Sequence, residues 1–225
     1  MPSFGTPTWD QALLAKAYYS DDSVVLLHGD CLELAELWTC ADVLVTDPPY
    51  GMAHRSGWGA RPIAGDETTG ARDAALAAWG DRPALVFGRW SEPRPEGAIV
   101  RLVWDKGEWP GMGDLSLPWG PSDEEVYVLG RGWIGKREGT VIRANRIVGS
   151  ATADHPTPKP VGLMSTLIAK CPPGTIADPF AGSGSTLVAA KALGRRAIGV
   201  ELEERYCEIA ARRLSQDVLN FEEPS

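Results

Sequence analysis

The strongest indication of the fold is the stretch Thr175-Ile176-Ala177-Asp178-Pro179-Phe180-Ala181-Gly182-Ser183-Gly184-Ser185-Thr186. It begins as a short apolar strand and then turns at two glycines. It continues as a helix, because apolar residues recur at helical spacing over residues 185–193. A second apolar run, residues 197–200, follows directly and ends at Glu201. A strand, a helix and a second strand joined by short turns predict one βαβ unit of an α/β fold.

The other apolar runs extend this prediction to most of the chain. They are short and apolar on both faces, as expected for strands buried in a mainly parallel sheet. They lie at residues 24–27, 43–46, 84–87, 99–104 and 126–129, and helical patterns lie at residues 161–170 and 203–214. No helix separates the runs at 99–104 and 126–129, so we expect one of these two strands to be antiparallel. The tryptophans predicted to lie in the core are Trp38, Trp79, Trp90 and Trp104.

Length and composition indicate one domain over residues 1–225. The chain is 44% apolar and 23% charged, which is ordinary for a globular protein. The polar N-terminus does not resemble a signal peptide, and no apolar run approaches the roughly 20 residues of a membrane-spanning helix. The four cysteines show no Cys-x-x-Cys spacing, and no histidine cluster lies near them. We therefore expect reduced thiols, no metal site, no membrane partner and a cytoplasmic location.

The glycine turn indicates a pocket for an adenosine-type cofactor. Gly182 and Gly184 let the backbone approach a ligand at the N-terminus of the following helix. Glu201 ends the next strand 23 positions after Asp178, where a carboxylate can accept both hydroxyls of a ribose. The dinucleotide fingerprint fails because Leu187 stands in place of its third glycine, and no phosphate-binding P-loop is present. S-adenosylmethionine meets this description, and its candidate binding residues are Asp178, Pro179, Phe180, Gly182, Ser183, Gly184, Ser185, Thr186 and Glu201.

A second motif, Asp47-Pro48-Pro49-Tyr50, follows the apolar run at residues 43–46. Its two prolines stiffen the backbone and remove two N–H donors, so this corner presents mainly acceptors. The Asp47 carboxylate and the Pro48 carbonyl can accept the N–H groups of an amino group and draw its nitrogen towards sp³ geometry. Tyr50 offers a flat face for a base, and such stacking is typically worth ~1–3 kcal/mol. The motif predicts a site that prepares an amino nitrogen for methylation.

Together, residues 47–50 and 178–184 closely resemble the catalytic and cofactor motifs of the bacterial and phage DNA methyltransferases that methylate amino groups. The catalytic motif comes first, which is the order of the β class of this family. The resemblance covers about residues 24–214, and residues 155–160 are similar to the segment that closes over the methionine end of the cofactor. It implies a single-domain, Rossmann-like class I methyltransferase fold with a mostly parallel, seven-stranded and circularly permuted sheet.

The resemblance also implies roles for individual residues. Asp47, Pro48, Pro49 and Tyr50 would hold a base flipped out of the duplex. The cofactor residues gain three further members, Asp30, Thr157 and Lys159. No metal and no covalent intermediate are implied, since transfer needs chiefly the alignment of nitrogen, methyl carbon and sulfur. The implied activity is that of a site-specific DNA methyltransferase of the kind found in restriction–modification systems.

The identity of the target base is less strongly indicated. Asp47 favours N6 of adenine, since relatives with a serine at this position more often methylate N4 of cytosine. N4-cytosine methylation stays open because its chemistry is nearly identical. Methylation of RNA or of a protein glutamine fits less well, since the latter usually goes with asparagine at the first position and the opposite order of motifs. A non-catalytic DNA- or cofactor-binding protein is expected to have lost one motif, and both are intact.

The expected partner is double-stranded DNA, although a net charge of −8 gives no general attraction to phosphates. A short basic insert at residues 131–154 is the predicted recognition element, in the form of one hairpin. The candidate DNA contacts, one of them from the loop at residues 51–70, are Arg55, Arg131, Lys136, Arg137, Arg143 and Arg146. The sequence leaves open whether the protein is a monomer or a homodimer, and whether it has a restriction endonuclease partner.

Overall fold

The computed structural model describes residues 9–49, 69–107, 111, 113–145 and 158–216. The helices in these ranges are α1 (Gln11–Ala15), α2 (Ala35–Trp38), α3 (Gly70–Trp79), α4 (Val161–Ile168), α5 (Ser185–Ala192) and α6 (Glu204–Gln216). The strands are β1 (Ala17–Ser20), β2 (Val24–His28), β3 (Val43–Thr46), β4 (Ala84–Gly88), β5 (Ala98–Asp105), β6 (Asp123–Leu129), β7 (Val141–Arg143), β8 (Ile176–Asp178) and β9 (Ala197–Glu201). Within the described ranges, no helix has the length and apolar character needed to cross a membrane.

The strands form one sheet in the order β1-β2-β9-β8-β3-β4-β6-β5-β7. The strands from β2 to β4 in this order are parallel, whereas β6 is antiparallel to both of its neighbours. The predicted α/β class, the mostly parallel sheet and the reversal of one of the two strands at residues 99–104 and 126–129 are therefore confirmed; the edge strand β1 is also antiparallel to its neighbour β2. The predicted count of seven strands is wrong, since β1 and β7 extend the sheet at its two edges. The circular permutation stays a prediction.

The two edge strands are too short to leave a clear pattern in the sequence. Asp21 closes the hairpin between β1 and β2, because its Oδ1 accepts hydrogen bonds of 2.8 Å from the backbone N–H groups of Ser23 and Val24. β7 has three residues and pairs in parallel with the end of β5. Within residues 131–145, the basic insert thus adds one strand to the main sheet. The hairpin predicted over residues 131–154 stays a prediction, because residues 146–154 lie outside the described residues.

Helices cover both faces of the sheet, which explains why the central strands are buried along almost their whole length. Helices α4, α5 and α6 pack on one face, and α1, α2 and α3 pack on the other. On the second face, the rings of Trp38 and Trp79 stack with their centroids 6.0 Å apart. Trp104 is buried as predicted, but Trp90 is 81% exposed. The prediction for Trp90 is wrong because this residue lies in the loop that follows β4.

One end of the sheet collects the candidate functional residues. The parallel strands β2, β3, β4, β8 and β9 finish there, and the antiparallel β6 begins there; we call it the carboxyl end. Open α/β sheets bind their ligands outside this end of the strands. Asp47 follows β3, Asp178 ends β8 and Glu201 ends β9. Because β3 and β8 are neighbours, the two motifs meet although they lie 131 positions apart in the chain.

Candidate active site

Asp47, Pro48 and Pro49 form the segment that leaves β3 at the carboxyl end. The Asp47 side chain is 29% exposed, Pro48 is buried and Pro49 is half-buried. Neither proline has an N–H group, so the corner offers a carboxylate and backbone carbonyls as acceptors. Tyr50 and the loop at residues 51–68 lie outside the described residues. The described part of the motif is an acceptor corner with partial access to solvent.

The Asp47 carboxylate is paired with a buried ammonium group. Lys159 Nζ lies 2.7 Å from Asp47 Oδ2 and 4.9 Å from the centroid of the Phe87 ring. Burial alone would lower the pKa of Lys159, but the carboxylates of Asp47 and Glu124 outweigh burial and raise it. Lys159 therefore stays protonated at neutral pH. The resemblance assigned Lys159 to the cofactor, whereas the structure brings it against the catalytic motif.

A second carboxylate and a second lysine complete this cluster. Glu124, near the start of β6, has its Oε2 2.8 Å from Lys159 Nζ and its Oε1 2.6 Å from Lys106 Nζ. Burial would raise the pKa of Glu124, but these two ammonium groups lower it. The charges thus alternate along Asp47, Lys159, Glu124 and Lys106, so that each group lies beside one of opposite sign. The sequence analysis missed Glu124 and Lys106, because no motif marks either residue.

The glycine loop after β8 has the shape that its sequence predicts. Gly182 and Gly184 have φ angles of +51° and +80°, a region that favours glycine. Gly184 precedes α5 directly, and a Cβ atom at this position would lie 2.9 Å from the Cβ of Ala210 on α6. A side chain is therefore excluded at Gly184 by both backbone conformation and packing.

Glu201 anchors the glycine loop from the neighbouring strand. Its Oε2 accepts a hydrogen bond of 2.8 Å from the N–H of Gly182, and its Oε1 accepts one of 2.8 Å from the N–H of Glu203. Burial raises the pKa of Glu201, and these two backbone hydrogen bonds act in the opposite direction. Each carboxylate oxygen can accept one further hydrogen bond. The predicted ribose-binding carboxylate is thus in place beside the loop.

Asp178 joins the glycine loop to the acceptor corner. Its Oδ1 accepts hydrogen bonds from Thr46 Oγ1 at 2.7 Å and from the N–H of Phe180 at 3.1 Å. Burial raises the pKa of Asp178 to about 6, although hydrogen bonds from Thr186, Thr46 and Phe180 lower it in part. Because Thr46 directly precedes Asp47, its hydrogen bond to Asp178 links the two motifs. The sequence analysis missed Thr46 because it reads as the last residue of a strand.

The raised pKa of Asp178 predicts a dependence of stability on pH. The folded protein retains a proton on this carboxyl that the unfolded chain releases between the ordinary pKa of 3.8 and the folded pKa of about 6. The contribution of Asp178 to the free energy of unfolding therefore falls as pH rises through this window. Asp178→Asn is expected to gain stability relative to the wild type by up to about 3 kcal/mol between about pH 4 and pH 7. Urea unfolding of both proteins at several pH values tests this, and a pH-independent difference would contradict it.

The remaining side chains of the loop hold the loop itself. Arg213 on α6 donates through Nη1 to the carbonyl of Ser183 at 2.6 Å, to Ser183 Oγ at 3.0 Å and to Ser185 Oγ at 3.3 Å. Thr186 donates to Asp178, and Pro179 is buried. These four predicted cofactor residues are therefore placed to shape the loop. Arg213 has no local signal in the sequence that would have identified it.

Asp30 stands at the carboxyl end of β2, the strand that pairs with β9. Its side chain is exposed, and its Oδ1 accepts a hydrogen bond of 2.7 Å from the N–H of Leu32. The structure thus places Asp30, just after β2, and Glu201, the last residue of β9, at the same end of two adjacent strands. Thr157 lies outside the described residues. Within those residues, no group of three or more potential metal ligands is present.

The structure separates the predicted DNA contacts into two groups. Arg131 follows β6, which runs away from the carboxyl end, and Ile134 N donates to the carbonyl of Lys170, just before β8, at 3.0 Å. Arg131, Lys136 and Arg137 thus lie towards the end of the sheet opposite to Asp47. Arg143 ends β7 at the carboxyl end, where its Nε lies 2.9 Å from Asp105 Oδ2. Arg55 and Arg146 lie outside the described residues.

Sequence comparisons place this site in a known family. The DNA methylase family N6_N4_Mtase matches residues 92–212, which is more than half of the chain. The YubD protein of Escherichia coli (strain K12) is 30% identical over 209 residues, which cover 84% of this chain and 89% of YubD. The type II methyltransferase M.ScaI of Streptomyces caespitosus is 26% identical over 259 aligned residues, which cover 91% of this chain and 85% of M.ScaI.

Solved structures share the fold. M1.HpyAVI, crystallised as a complex with S-adenosylmethionine, matches with a TM-score of 0.62 and 21% identity over 85% of this chain and 98% of its own. The PvuII DNA methyltransferase, which is cytosine-N4-specific, matches with a TM-score of 0.70 and 14% identity over 93% of this chain and 91% of its own. These likenesses agree with the class I methyltransferase fold implied by the sequence. The family match and the similarity to YubD show that the chain belongs to the N6/N4 family of DNA methylases, which methylate amino groups of bases.

Proposed function

We propose that this chain transfers the methyl group of S-adenosylmethionine to N6 of adenine in double-stranded DNA. One observation carries the proposal: the hydrogen bond of 2.7 Å from Thr46 Oγ1 to Asp178 Oδ1 ties the two motifs together. It holds the acceptor corner after β3 beside the glycine loop after β8. An amino group at Asp47 then lies next to a cofactor at the loop, as direct transfer requires.

The residues at the glycine loop fit S-adenosylmethionine. Gly182 and Gly184 have the positive φ angles that let the backbone turn tightly between β8 and α5. Glu201 is fixed by two backbone N–H groups and retains acceptor capacity for the hydroxyls of a ribose. Asp30, on the adjacent strand, is an exposed acceptor suited to the amino group of an adenine ring. We assign these four residues and Phe180 to hold the cofactor, which supplies an activated methyl group when bound.

The residues of the acceptor corner prepare the target amino group. The Asp47 carboxylate and the Pro48 carbonyl accept its N–H groups, which directs the lone pair of the nitrogen away from them. Lys159 orients the Asp47 carboxylate, because its ammonium group lies 2.7 Å from Oδ2. The base must leave the duplex to reach Asp47, at a cost of roughly a few kcal/mol. Tyr50 is assigned to stack on the flipped base.

Adenine is the preferred target because Asp47 is an aspartate, as in the relatives that act on N6. N4 of cytosine is the second candidate. It is favoured by the likeness to the cytosine-N4-specific PvuII enzyme, which has a TM-score of 0.70. The described acceptor corner suits either base, since both present a planar exocyclic amino group.

The class of substrate is tested with methyl-labelled S-adenosylmethionine and three separate acceptors: unmethylated duplex DNA, RNA and a protein mixture. We expect label in DNA alone. Label in RNA or protein with none in DNA would contradict the proposal.

Duplex DNA is expected to approach the carboxyl end of the sheet, where Asp47 lies. Two tryptophans at this end offer flat faces to bases: Trp90 is 81% exposed and Trp119, in the loop between β5 and β6, is 80% exposed. Arg143 supplies a positive charge there. In this proposal, these side chains contact DNA in place of Arg131, Lys136 and Arg137, which lie towards the opposite end of the sheet.

A matched pair of arginine variants distinguishes the two ends. Arg143→Gln is expected to reduce the slope of log K against log salt for duplex DNA by about 1, because one phosphate contact is lost. Arg137→Gln removes the same charge from the opposite end and is expected to leave this slope unchanged. Fluorescence anisotropy over a salt series measures both. If the slope is reduced for Arg137→Gln but unchanged for Arg143→Gln, the DNA binds at the opposite end of the sheet.

A further inference from the structure

We propose that Glu124 is a positioning residue for methyl transfer: it holds Lys159, shares the charge of its ammonium group and so sets how strongly Asp47 accepts hydrogen bonds from the target amino group. The inference rests on the proposed function, since Glu124 acts through Asp47. Lys106 also takes part, because it pairs with Glu124 and so weakens the attraction of Glu124 for Lys159.

The geometry gives Lys159 two carboxylate partners. Its Nζ lies 2.7 Å from Asp47 Oδ2 and 2.8 Å from Glu124 Oε2. The Lys159 side chain is 10% exposed, and the ring centroids of Phe87 and Trp104 lie 4.9 and 5.9 Å from its Nζ. Water can do little to screen an ammonium group in these surroundings. The two carboxylates therefore provide most of the compensation of its charge.

This sharing has a consequence for Asp47. An ammonium group with a single carboxylate partner would concentrate its attraction on that partner and weaken it as an acceptor for other donors. Because Glu124 competes for Lys159, the oxygens of Asp47 retain more negative charge for the N–H groups of the base. Lys106 Nζ, 2.6 Å from Glu124 Oε1, attracts Glu124 in turn. The removal of Glu124 should therefore weaken Asp47 as a hydrogen-bond acceptor, and the removal of Lys106 should strengthen it.

The charged groups that bear on Asp47, among the described residues, come from four elements. Lys159 precedes α4, Glu124 lies on β6, Lys106 follows β5 and Asp178 ends β8. Glu124→Gln removes a negative neighbour and should make Asp47 more acidic. Lys106→Met leaves Glu124 to pair more fully with Lys159 and should make Asp47 less acidic. A purely structural role of the cluster would not produce shifts of opposite sign.

The test is the pH dependence of the single-turnover rate of methyl transfer to duplex DNA, which excludes product release. In the pH–rate profile, the acidic limb is the range in which the rate rises as Asp47 loses its proton. For Glu124→Gln we expect this limb to move about 1 pH unit lower and the plateau rate to fall about tenfold. For Lys106→Met we expect a smaller move of this limb to higher pH. The affinity for S-adenosylmethionine should be unchanged in both, and Glu124→Asp should restore part of the lost rate.

Asp123→Asn is the matched control, because it removes the same charge one residue away on an exposed side chain of β6. We expect wild-type behaviour from this variant. An unchanged limb and plateau in Glu124→Gln, with an active wild type, would overturn the role of Glu124 and leave the proposed function standing. Shifts of the same sign in Glu124→Gln and Lys106→Met would also overturn it. A wild type that transfers no methyl group to DNA would instead refute the proposed function.

Discussion

Replacing Asp47 by asparagine is expected to reduce the rate of methyl transfer by about 10³-fold. Asparagine preserves the shape of the side chain but removes its charge, and its amide NH₂ cannot accept the N–H groups of a base. The Thr46–Asp178 hydrogen bond does not involve the Asp47 side chain. The affinity for S-adenosylmethionine should therefore stay within a few-fold of the wild type. Single-turnover transfer and calorimetric titration with the cofactor measure the two effects separately.

The Asp47→Asn variant also has an internal check on folding. Lys159 keeps Glu124 as a partner at 2.8 Å, so the loss of one carboxylate leaves no isolated buried charge. We expect a melting temperature close to that of the wild type. A variant that is folded, binds the cofactor and transfers methyl groups at nearly the wild-type rate would show that Asp47 does not act on the amino group.

Replacing Glu201 by alanine is expected to weaken the binding of S-adenosylmethionine roughly 100-fold, since the loss of two hydrogen bonds to a charged acceptor costs about 3 kcal/mol. The glycine loop also loses its anchor, because Gly182 N donates to Glu201 Oε2 at 2.8 Å. Both effects act on the same site, so the affinity for the cofactor should fall more than the stability of the fold.

Glu203→Ala is the matched control for Glu201→Ala. Glu203 lies two positions further on, and its carboxylate pairs with Arg205 at 2.7 Å. Its removal deletes the same charge and leaves the backbone N–H that Glu201 accepts. We expect little change in cofactor affinity for this variant. Equal losses in both variants would indicate a general electrostatic effect and would contradict a direct contact between Glu201 and the ribose.

The acceptor corner and the cofactor loop can be predicted from the sequence, because each is formed by consecutive residues. The acceptor corner depends on a strand followed directly by Asp47-Pro48-Pro49, and the cofactor loop depends on a strand, two glycines and a helix. The strands that carry them were predicted to within one residue at each end, since runs such as residues 43–46 are buried on both faces. Local chemistry and burial suffice for this part of the site.

The partners of these motifs depend on strand direction and cannot be derived from local sequence. Because β6 is antiparallel to its neighbours, its first residues arrive at the carboxyl end and bring Glu124 to Lys159. The same reversal carries Arg131 to the opposite end, away from Asp47. One reversed strand thus explains both the unforeseen carboxylate in the site and the separation of the predicted DNA contacts. Trp90 is exposed, in contrast to the prediction, because it lies beyond the end of β4 rather than within it.

Identification of the methylated nucleoside tests the proposed activity most directly. Wild-type protein and Asp47→Asn are incubated with methyl-labelled S-adenosylmethionine and unmethylated bacterial DNA, and the digested product is analysed by mass spectrometry. We expect label on N6-methyl-2′-deoxyadenosine with the wild type and almost none with the variant. Label on N4-methyl-2′-deoxycytidine would contradict the choice of adenine while preserving the family and the role of Asp47. Label on carbon 5 of cytosine, or equal label with both proteins, would contradict the proposed mechanism.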